Sequence, residues 1–595
     1  MYVARLTRVV PSTAVLVCAL LIAGAFTLPR ASADEVVVTP PKVDVSTIAV
    51  PTAEATTPEE ELDATPAPDE PPAPVATVTP PPEAKPAVDT DDSEIVAELP
   101  ATKTDGFGMV GVTWSAASTH VGVSVEVRTR TAGVWSAWQE LEVDSESTEG
   151  GRNGTEPLWV GSANGVAARV YTESGIKPAD IKISTIDPGV TPTNHQATQA
   201  SFTTQTAPST PEVGNPVTPI ADGSPAFTGK PTIITRAQWG ASAGNTCDTP
   251  LTGKTAKGII LHHTAGSNTY TKAQSAAIVR ATQSYHVKSR KWCDIGYNVL
   301  VDRFGQIFEG RKGGIDKPVR GAHAGNLDVN TYAWGVSMMG NFDTAPLTPA
   351  LEASVVKVIG WRLGTTYTPA KGTYAIAGKR LNIISGHRDV SLSGIRPATA
   401  TACPGKYGYA WLNESGGLRD RVAAYIAGYK TAIKTYAQKL GTSATGLVYV
   451  GEYVTGGGSK TRFSKADFYS KAGAGTHYLN GTMRSEFNRV GSQTGVLGFP
   501  TTNPLPAATK GVVYARFQGG SMYRVLQPNN TNKAFAFYGP IDTKYRALKG
   551  NAGKLGKPTT AVYRYSKNPN VLKARFQGGY IKYDTINKSF KVAYK

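Results

Sequence analysis

An internal repeat near the C-terminus constrains the fold of this 595-residue chain more than any other feature. Two strings each occur twice, at spacings of 58 and 59 residues. The copies are Leu497–Thr502 with Leu555–Thr560, and Arg516–Gly520 with Arg575–Gly579. A degenerate earlier copy is visible around Phe463 and Tyr469. Because one unit of this size cannot bury its apolar face alone, residues 431–595 are predicted to form a module of stacked repeats.

The rest of the chain is too long for a single hydrophobic core, which rarely serves more than about 250–300 residues. Two segments of biased composition divide it. Residues 34–105 are rich in Pro, Ala and Thr, hold 17 acidic and 3 basic side chains, and are predicted to be a disordered spacer. Residues 190–228, rich in Thr and Pro, are predicted to be a second linker.

The N-terminal segment, residues 1–33, has the pattern of a secretory signal peptide. A basic start is followed by an apolar run at 14–28 and by small residues just before Asp34. The apolar run is shorter than the roughly 20 residues that span a bilayer, so a retained membrane anchor is the less favoured alternative. The mature protein is therefore predicted to be secreted, with no stable membrane span.

Residues 106–189 are predicted to form a small β-sandwich. Valines alternate with small or polar residues over 121–127, and further strand-like runs lie between Gly-rich turns. Trp135, Trp138 and Trp159 are candidates for stacking on sugar rings, but packing in the core is the favoured role.

Basic residues are concentrated in the repeat module, where 25 basic residues stand against 5 acidic ones. In an exported protein this asymmetry indicates binding to anionic polymers of a cell envelope, and nucleic acid is not an expected partner outside the cell. A solvated surface that only keeps the protein soluble is the alternative.

The region between the second linker and the repeats, residues 229–430, is predicted to be an α/β domain with a mixed sheet flanked by helices. The predicted elements are a buried strand at 258–263, a helix at 272–287, a hairpin at 296–310, a strand at 335–340, a helix at 348–363 capped by Thr348, and a closing helix at 417–429.

Three separated residues in the α/β domain are of the types that bind zinc. His262 stands near the end of the first predicted strand, His387 lies in a Gly-His-Arg-Asp string, and Cys403 precedes Pro-Gly. Three such ligands leave a fourth position open to water, which is typical of a catalytic zinc site. His263 follows His262 on the strand and is expected to face the opposite side, because neighbouring residues alternate.

Further strings stand in a characteristic order around these residues. They are His262-His263-Thr264-Ala265-Gly266, Tyr285-His286, Trp292 to Asn298, Phe308-Glu309-Gly310-Arg311, Gly321-Ala322-His323-Ala324, Gly340-Asn341-Phe342, Gly386-His387-Arg388-Asp389 and Cys403-Pro404-Gly405. Residues 231–430 thereby resemble peptidoglycan recognition proteins, which are similar to phage amidase-type lysozymes, the N-acetylmuramoyl-L-alanine amidases.

The resemblance implies an enzyme that hydrolyses the amide between the lactyl group of N-acetylmuramic acid and L-alanine in peptidoglycan. It assigns His262, His387 and Cys403 as ligands of Zn²⁺, which lowers the pKa of a bound water to about 7 and polarises the scissile carbonyl. It also assigns Tyr297 as the catalytic tyrosine, whose hydroxyl would stabilise the oxyanion.

Other positions follow from the same resemblance. His286 and His323 match residues that line the substrate groove, with packing as the alternative role. Cys247 and Cys293 match a disulfide pair, and the alternative that either is a fourth zinc ligand would close the site. Thr401 stands where the phage enzymes carry a lysine; a threonine can hydrogen-bond but carries no positive charge, so the proton shuttle is left open.

The C-terminal strings resemble LGFP repeats, which are associated with envelope attachment in exported actinobacterial proteins. Lys557 replaces the phenylalanine of the signature in the last copy. The implied role is retention at the wall, and a stack that only stabilises the enzyme is the alternative. The sequence as a whole predicts a secreted, wall-associated zinc amidase; the alternatives are a binding-only recognition protein and a structural wall protein with a vestigial amidase fold.

Overall fold

The computed structural model describes residues 41–52, 94–117, 122–144, 148–189, 229–242, 250–253, 255–396 and 401–595, all within one compact unit. The predicted signal peptide, the linker at 190–228 and Cys247 lie outside the described residues. None of the described helices combines the length and the apolar character needed to cross a bilayer.

The N-terminal part is an all-β domain, called the β-domain below. Its strands are β1 (Asp44–Ala49), β2 (Glu94–Ser115), β3 (Val123–Thr131), β4 (Val134–Trp135), β5 (Gln139–Glu140), β6 (Val143–Asp144), β7 (Arg152–Thr155), β8 (Leu158–Thr172) and β9 (Lys182–Asp187). The main path runs β1-β9-β2-β8-β3-β4, with β5, β6 and β7 paired beside it. Val110, Val125 and Val127 are fully buried in its core, in agreement with the predicted class.

The expectation of a disordered spacer over residues 34–105 is wrong at two places. β1 and the first half of β2 lie in this range, and Val96, Ala97 and Leu99 are buried in the core of the β-domain. These apolar side chains are favourable to bury even though the surrounding composition is acidic and Pro-rich. Residues 53–93 lie outside the described part.

Of the three tryptophans in the β-domain, Trp159 is 5 % exposed and belongs to an apolar cluster, so the packing role is confirmed for it. The guanidinium of Arg128 lies 4.8 Å from the ring centroid of Trp138 and 5.4 Å from that of Trp135. Arg169 lies 4.3 Å from the Trp138 ring. These two outer rings are therefore engaged by arginines of their own domain.

The α/β domain contains a five-stranded mixed sheet in the order β12-β11-β13-β10-β16. Its strands are β10 (Gly258–His263), β11 (Val299–Val301), β12 (Ile307–Glu309), β13 (Ala333–Met338) and β16 (Ile384–Gly386), and a separate hairpin consists of β14 (Thr373–Ile376) and β15 (Lys379–Asn382). β10 is parallel to both neighbours, and only the hairpin partner β12 is antiparallel within this sheet. The predicted hairpin and the strands at 258–263 and 335–340 are confirmed.

Helices cover both faces of the mixed sheet. They are α1 (Arg236–Trp239), α2 (Ser275–Ser284), α3 (Leu327–Tyr332), α4 (Pro349–Thr365), α5 (His387–Leu392), α6 (Lys406–Asn413) and α7 (Leu418–Ala427). One face packs on α4, α6 and α7 around Ile259, Leu261 and Val336. The other packs on α2, which continues into a π-helical turn at Tyr285–Ser289. The predicted cap is confirmed, since Thr348 Oγ1 accepts from Leu351 N at 3.2 Å.

The repeat module consists of three antiparallel four-stranded sheets in series. Its elements are α8 (Ala432–Leu440), α9 (Thr442–Thr445), β17 (Val448–Thr455), β18 (Gly458–Phe463), β19 (Ala466–Lys471), β20 (Gly475–Asn480), α10 (Gly481–Arg489), β21 (Leu505–Pro506), β22 (Val512–Phe517), β23 (Gly520–Leu526), β24 (Asn532–Tyr538), α11 (Gly539–Ala547), β25 (Tyr563–Tyr565), β26 (Asn568–Phe576), β27 (Gly579–Asp584) and β28 (Ser589–Tyr594).

The signature strings sit where successive sheets meet. Leu497 and Phe499 are buried in a cluster that contains Leu479 of the first sheet and Ala515 of the second. Leu555 lies in a cluster shared by the second and third sheets. Each unit therefore buries apolar surface against its neighbour, as the repeat pattern predicts.

Candidate metal centre

The topology of the mixed sheet brings the three predicted zinc ligands together. His262 is the penultimate residue of β10, and His387 begins α5 directly after the parallel neighbour β16. Carboxyl ends of adjacent parallel strands meet at one edge of a sheet, so the two imidazoles converge there. Cys403 reaches the same edge from the turn before α6, where its carbonyl accepts from Arg388 N at 3.0 Å.

The donor set fits a zinc ion. One ligating atom each of His262, His387 and Cys403 lies within 4.8 Å of the others, and all three residues are buried. Burial, followed by the charge of His387, lowers the pKa of His262, so the imidazole is in its neutral, metal-binding form. Burial, followed by the charge of Glu142, raises the pKa of Cys403, so a bound cation is needed to favour the thiolate.

Outer partners orient the two imidazoles. His262 Nε2 lies 3.0 Å from His323 Nδ1, and Nη1 of Arg396 lies 2.9 Å from His387 Nε2. The other ring nitrogen of His262, Nδ1, lies 3.5 Å from Cys403 Sγ. Hydrogen bonds of this kind fix the ring orientation and the tautomer of metal ligands.

Tyr297 and Thr401 lie beside the metal ligands. The ring of Tyr297 is 5.3 Å from that of His262, and its hydroxyl donates to Glu156 Oε1 at 3.2 Å. Burial, followed by the charge of Glu156, raises the pKa of Tyr297, which keeps the hydroxyl protonated as a hydrogen-bond donor. The Thr401 hydroxyl donates to Glu142 Oε1 at 2.7 Å.

The two predicted groove histidines lie in different surroundings. His323 lines the cavity at the metal ligands and contacts His262. His286 is 1 % exposed, stacks on Trp292 at 4.5 Å, and accepts from Gly296 N through Nδ1 at 3.2 Å. The surroundings of His286 are those of a packed residue, so contact with substrate stays a prediction for both histidines.

The cysteine assignments are tested only in part. Cys403 is a free, buried cysteine. Cys247 lies outside the described residues, so its pairing with Cys293 stays a prediction. Within the described part of the chain, the group of metal-binding side chains around Cys403 does not include Cys293.

His263 does not face away from the site as expected. It lines the same cavity as His262, where the Glu142 carboxylate binds its ring. Its Nδ1 accepts from Phe342 N at 3.2 Å, which leaves the ring proton on Nε2 to donate to Glu142 Oε2 at 2.7 Å. Glu142, His263 and Asp343 form a second cluster of residues of metal-binding types. The closest contact in this cluster, between His263 and Glu142, is the hydrogen bond just described.

Three acidic residues of the β-domain were not predicted at the site. Glu142, Asp144 and Glu156 line one cavity together with the proposed metal ligands, Tyr297 and Thr401. Burial raises the pKa of Glu142, but the charge and hydrogen bond of His263 outweigh it and lower the pKa to about 2. Burial, followed by the charge of Asp144, raises the pKa of Glu156. No local sequence signal indicates that these residues meet the metal ligands across two domains.

Three parts of the chain match known families. Family models match at residues 252–406 (N-acetylmuramoyl-L-alanine amidase), 62–212 (Rv3811 N-terminal galactose-binding domain-like) and 497–553 (LGFP repeat). Peptidoglycan-recognition protein SC2 of Drosophila melanogaster is 36 % identical over 174 residues, which is 29 % of this chain and 80 % of the relative. The chain belongs to the peptidoglycan-recognition protein family.

Other proteins are similar to this chain over shorter stretches or in structure. Peptidoglycan recognition protein 1 of Bos taurus is 37 % identical over 123 residues, 20 % of this chain and 61 % of that protein. Drosophila PGRP-LB aligns in structure with 25 % identity and a TM-score of 0.24, covering 30 % of this chain and 91 % of PGRP-LB. The amidase LysC of Clostridium intestinale aligns with 22 % identity and a TM-score of 0.22, covering 33 % and 99 % of the two chains.

Proposed function

We propose that this protein is a secreted, zinc-dependent N-acetylmuramoyl-L-alanine amidase that acts on peptidoglycan at the cell envelope. The observation that carries the proposal is the convergence of His262, His387 and Cys403, whose ligating atoms lie within 4.8 Å of one another. The match of residues 252–406 to the amidase family model supports the same conclusion.

The donor set and its neighbours have complementary roles in this proposal. A bound zinc ion would supply Lewis-acid chemistry at the scissile carbonyl. Tyr297 would donate its hydroxyl proton in a hydrogen bond to the oxygen on which negative charge develops. Thr401 would act as a second, uncharged donor that orients this oxygen, since its hydroxyl lies on the same cavity wall.

The repeat module would hold the enzyme on the wall. Its few acidic groups are largely engaged within the module: Asp467 lies 2.7 Å from Arg484, Asp542 lies 2.9 Å from Arg546, and Glu486 lies 2.7 Å from Arg489. The remaining lysines and arginines leave a basic surface, which would attract anionic wall polymers through many weak contacts.

A second candidate is a peptidoglycan-binding protein that does not cut its ligand. The contact of Glu142 with Thr401 and of Glu156 with Tyr297 favours it, because both proposed donors are already engaged. The ligand set favours the enzyme, because all three metal-binding residues are in place.

The two candidates are separated by metal content and products. We expect the purified chain to hold about one zinc per molecule and to release new L-alanine amino termini from wall peptidoglycan without new reducing sugars. Cys403→Ser should lower zinc content and abolish this release, while Ser267→Ala, a surface change outside the cavity, should alter neither. Zinc-loaded protein that binds wall but releases no amino termini, even when Glu149→Ala removes the ion pair between Glu149 and Arg311, would reject the enzyme and support the binding protein.

A further inference from the structure

Acidic side chains of the β-domain lie over the candidate metal centre. Glu142 follows β5 and Glu156 follows β7, and both side chains enter the cavity that the metal ligands line. The carboxylate of Glu142 accepts from Thr401 Oγ1 at 2.7 Å and Cys403 N at 3.2 Å through one oxygen, and from His263 Nε2 at 2.7 Å through the other. Its side chain is 17 % exposed, so water competes little for these bonds.

The two groups proposed to assist the reaction are the groups that these carboxylates engage. Glu142 accepts a hydrogen bond from the Thr401 hydroxyl at 2.7 Å, and Glu156 accepts one from the Tyr297 hydroxyl at 3.2 Å. A hydroxyl has one proton to donate, so neither group can donate to a substrate oxygen while its glutamate is in place. The hydroxyls of Thr401 and Tyr297 are therefore both occupied by glutamates of the β-domain.

The remaining space is small for a wall substrate. The cavity volume open to a water-sized molecule is only about 10 Å³, which is room for roughly one water, whereas small-molecule sites usually measure roughly 300–1,000 Å³. The amide to be cut lies between a glycan and a peptide, so both must extend beyond the reacting atoms. His262 is 1 % exposed and Tyr297 is 4 % exposed, so the reacting centre is not open in this arrangement.

The closed arrangement is held by contacts outside the cavity. Tyr285 of the α/β domain is fully buried, with its hydroxyl 3.0 Å from Val112 O and 2.9 Å from Thr155 O of the β-domain. Its ring lies so close to Gly111 that a β-carbon there would be 2.5 Å away. Glu149 forms an ion pair with Arg311 and accepts from Cys293 N at 3.0 Å.

The same interface includes an apolar layer. Met109, Trp159 and Ile186 of the β-domain share one buried cluster with Ile278 and Tyr285. Charged contacts alone would be weakened by water and salt, whereas this layer excludes water from the interface.

We propose that the β-domain is an internal inhibitor of the amidase, in which side-chain oxygens of Glu142 and Glu156 accept the hydrogen bonds of the two donors that the substrate needs. This inference rests on the proposed function, because it takes Thr401 and Tyr297 to be donors to substrate. Displacement of the β-domain from the α/β domain opens the centre, and the zinc ligands stay where they are.

The proposal is tested in the full mature chain with Glu142→Ala and, separately, Glu149→Ala. The first removes the carboxylate on Thr401, and the second removes the Arg311 ion pair without touching either donor. Glu140→Ala is the matched control, since Glu140 is an exposed acid of the same domain. We expect both test variants to release L-alanine amino termini from soluble muramyl-peptides at least roughly tenfold faster than wild type, with zinc content and the control unchanged.

Thiol accessibility gives a readout that does not depend on activity. In metal-free protein, Cys403 is modified with a bulky and with a small maleimide, and the ratio of the two rates is measured. Because both reagents react with the same thiolate, a change in the ionisation of the thiol does not alter this ratio. We expect both test variants to shift this ratio toward the bulky reagent.

The outcomes separate the two proposals. A loss of activity in Glu142→Ala at normal zinc content would make Glu142 a catalytic residue and overturn the inhibitor proposal. Unchanged activity together with an unchanged maleimide ratio in both variants would overturn it as well. A shifted ratio without cleavage by any variant would uphold the closure and overturn the amidase function instead.

Discussion

Glu452 joins the repeat module to the α/β domain, and its replacement is predicted to loosen that junction. The residue lies on β17, is 4 % exposed, and accepts three hydroxyl hydrogen bonds on Oε2. Thr431 Oγ1 donates at 2.6 Å, Tyr367 Oη at 2.7 Å and Tyr429 Oη at 3.4 Å. Tyr367 and Tyr429 follow helices α4 and α7 of the α/β domain, so one carboxylate connects both parts.

The size of the effect follows from what Glu452→Ala leaves behind. A buried donor without an acceptor costs about 1–3 kcal/mol. The Thr431 hydroxyl loses the shortest of the three bonds, whereas Tyr367 keeps a contact with Thr461 Oγ1 at 2.8 Å. We therefore expect a total cost of about 2–4 kcal/mol for Ala, and about 1 kcal/mol for Gln, which retains a carbonyl oxygen as acceptor.

A multidomain chain has no single unfolding transition, so the measurement must be local. Amide hydrogen exchange of peptides from β17 and β18 reports the free energy of opening at the junction. A cost of 2–4 kcal/mol corresponds to exchange that is roughly 30- to 700-fold faster, since about 1.4 kcal/mol is a factor of ten. Peptides of the third sheet, β25–β28, serve as the internal control. Exchange within threefold of wild type in Glu452→Ala would refute the reasoning.

Four further results are expected. Tyr297→Phe should lower kcat roughly 100- to 1,000-fold at unchanged zinc content, because one oxyanion donor is lost; unchanged kcat would remove the tyrosine from the mechanism. Phe499→Ala should destabilise the junction of the first two sheets by about 3–5 kcal/mol. Lys557→Ala, at the equivalent and partly exposed position, should change the stability of the junction of the second and third sheets by less than about 0.5 kcal/mol; both are read by hydrogen exchange. Binding to wall fragments should weaken steeply between low and high salt if the basic module carries it, and salt-independent pelleting would exclude that role. Burial raises the pKa of Glu452 above its usual 4.5. The junction at Glu452 should therefore be most stable below pH 4.5 and should lose stability as pH rises through the raised pKa. Glu452→Gln should abolish this pH dependence.

The strands, the capped helix and the candidate metal ligands were predicted from residues that are close together in the sequence. The run of apolar residues before His262 gives a buried strand, and Thr348 before a helical pattern gives a capped helix, so both could be read from neighbouring residues. The proposed ligands His387 and Cys403 were predicted from their residue types and from the family that their short motifs resemble, and β10 and β16 are parallel neighbours that bring His262 and His387 to one edge of the sheet.

The acidic cover of the metal centre could not be predicted in this way. Glu142 and Cys403 are 261 positions apart and belong to different domains, and their contact depends on how two independently patterned surfaces dock. The strand β1 and the start of β2 were missed for a related reason. Their few apolar residues are diluted by acidic and Pro-rich neighbours, and only pairing with β8 and β9 makes their burial favourable.

The position of Leu497 and Leu555 between successive sheets makes the repeat module extensible. Each leucine closes one joint, and each joint involves only the two sheets beside it. A whole unit of 58 residues could therefore be inserted or removed without repacking the others, as in other arrays with nearest-neighbour interfaces. Module length would then set the distance between the α/β domain and the last repeat unit.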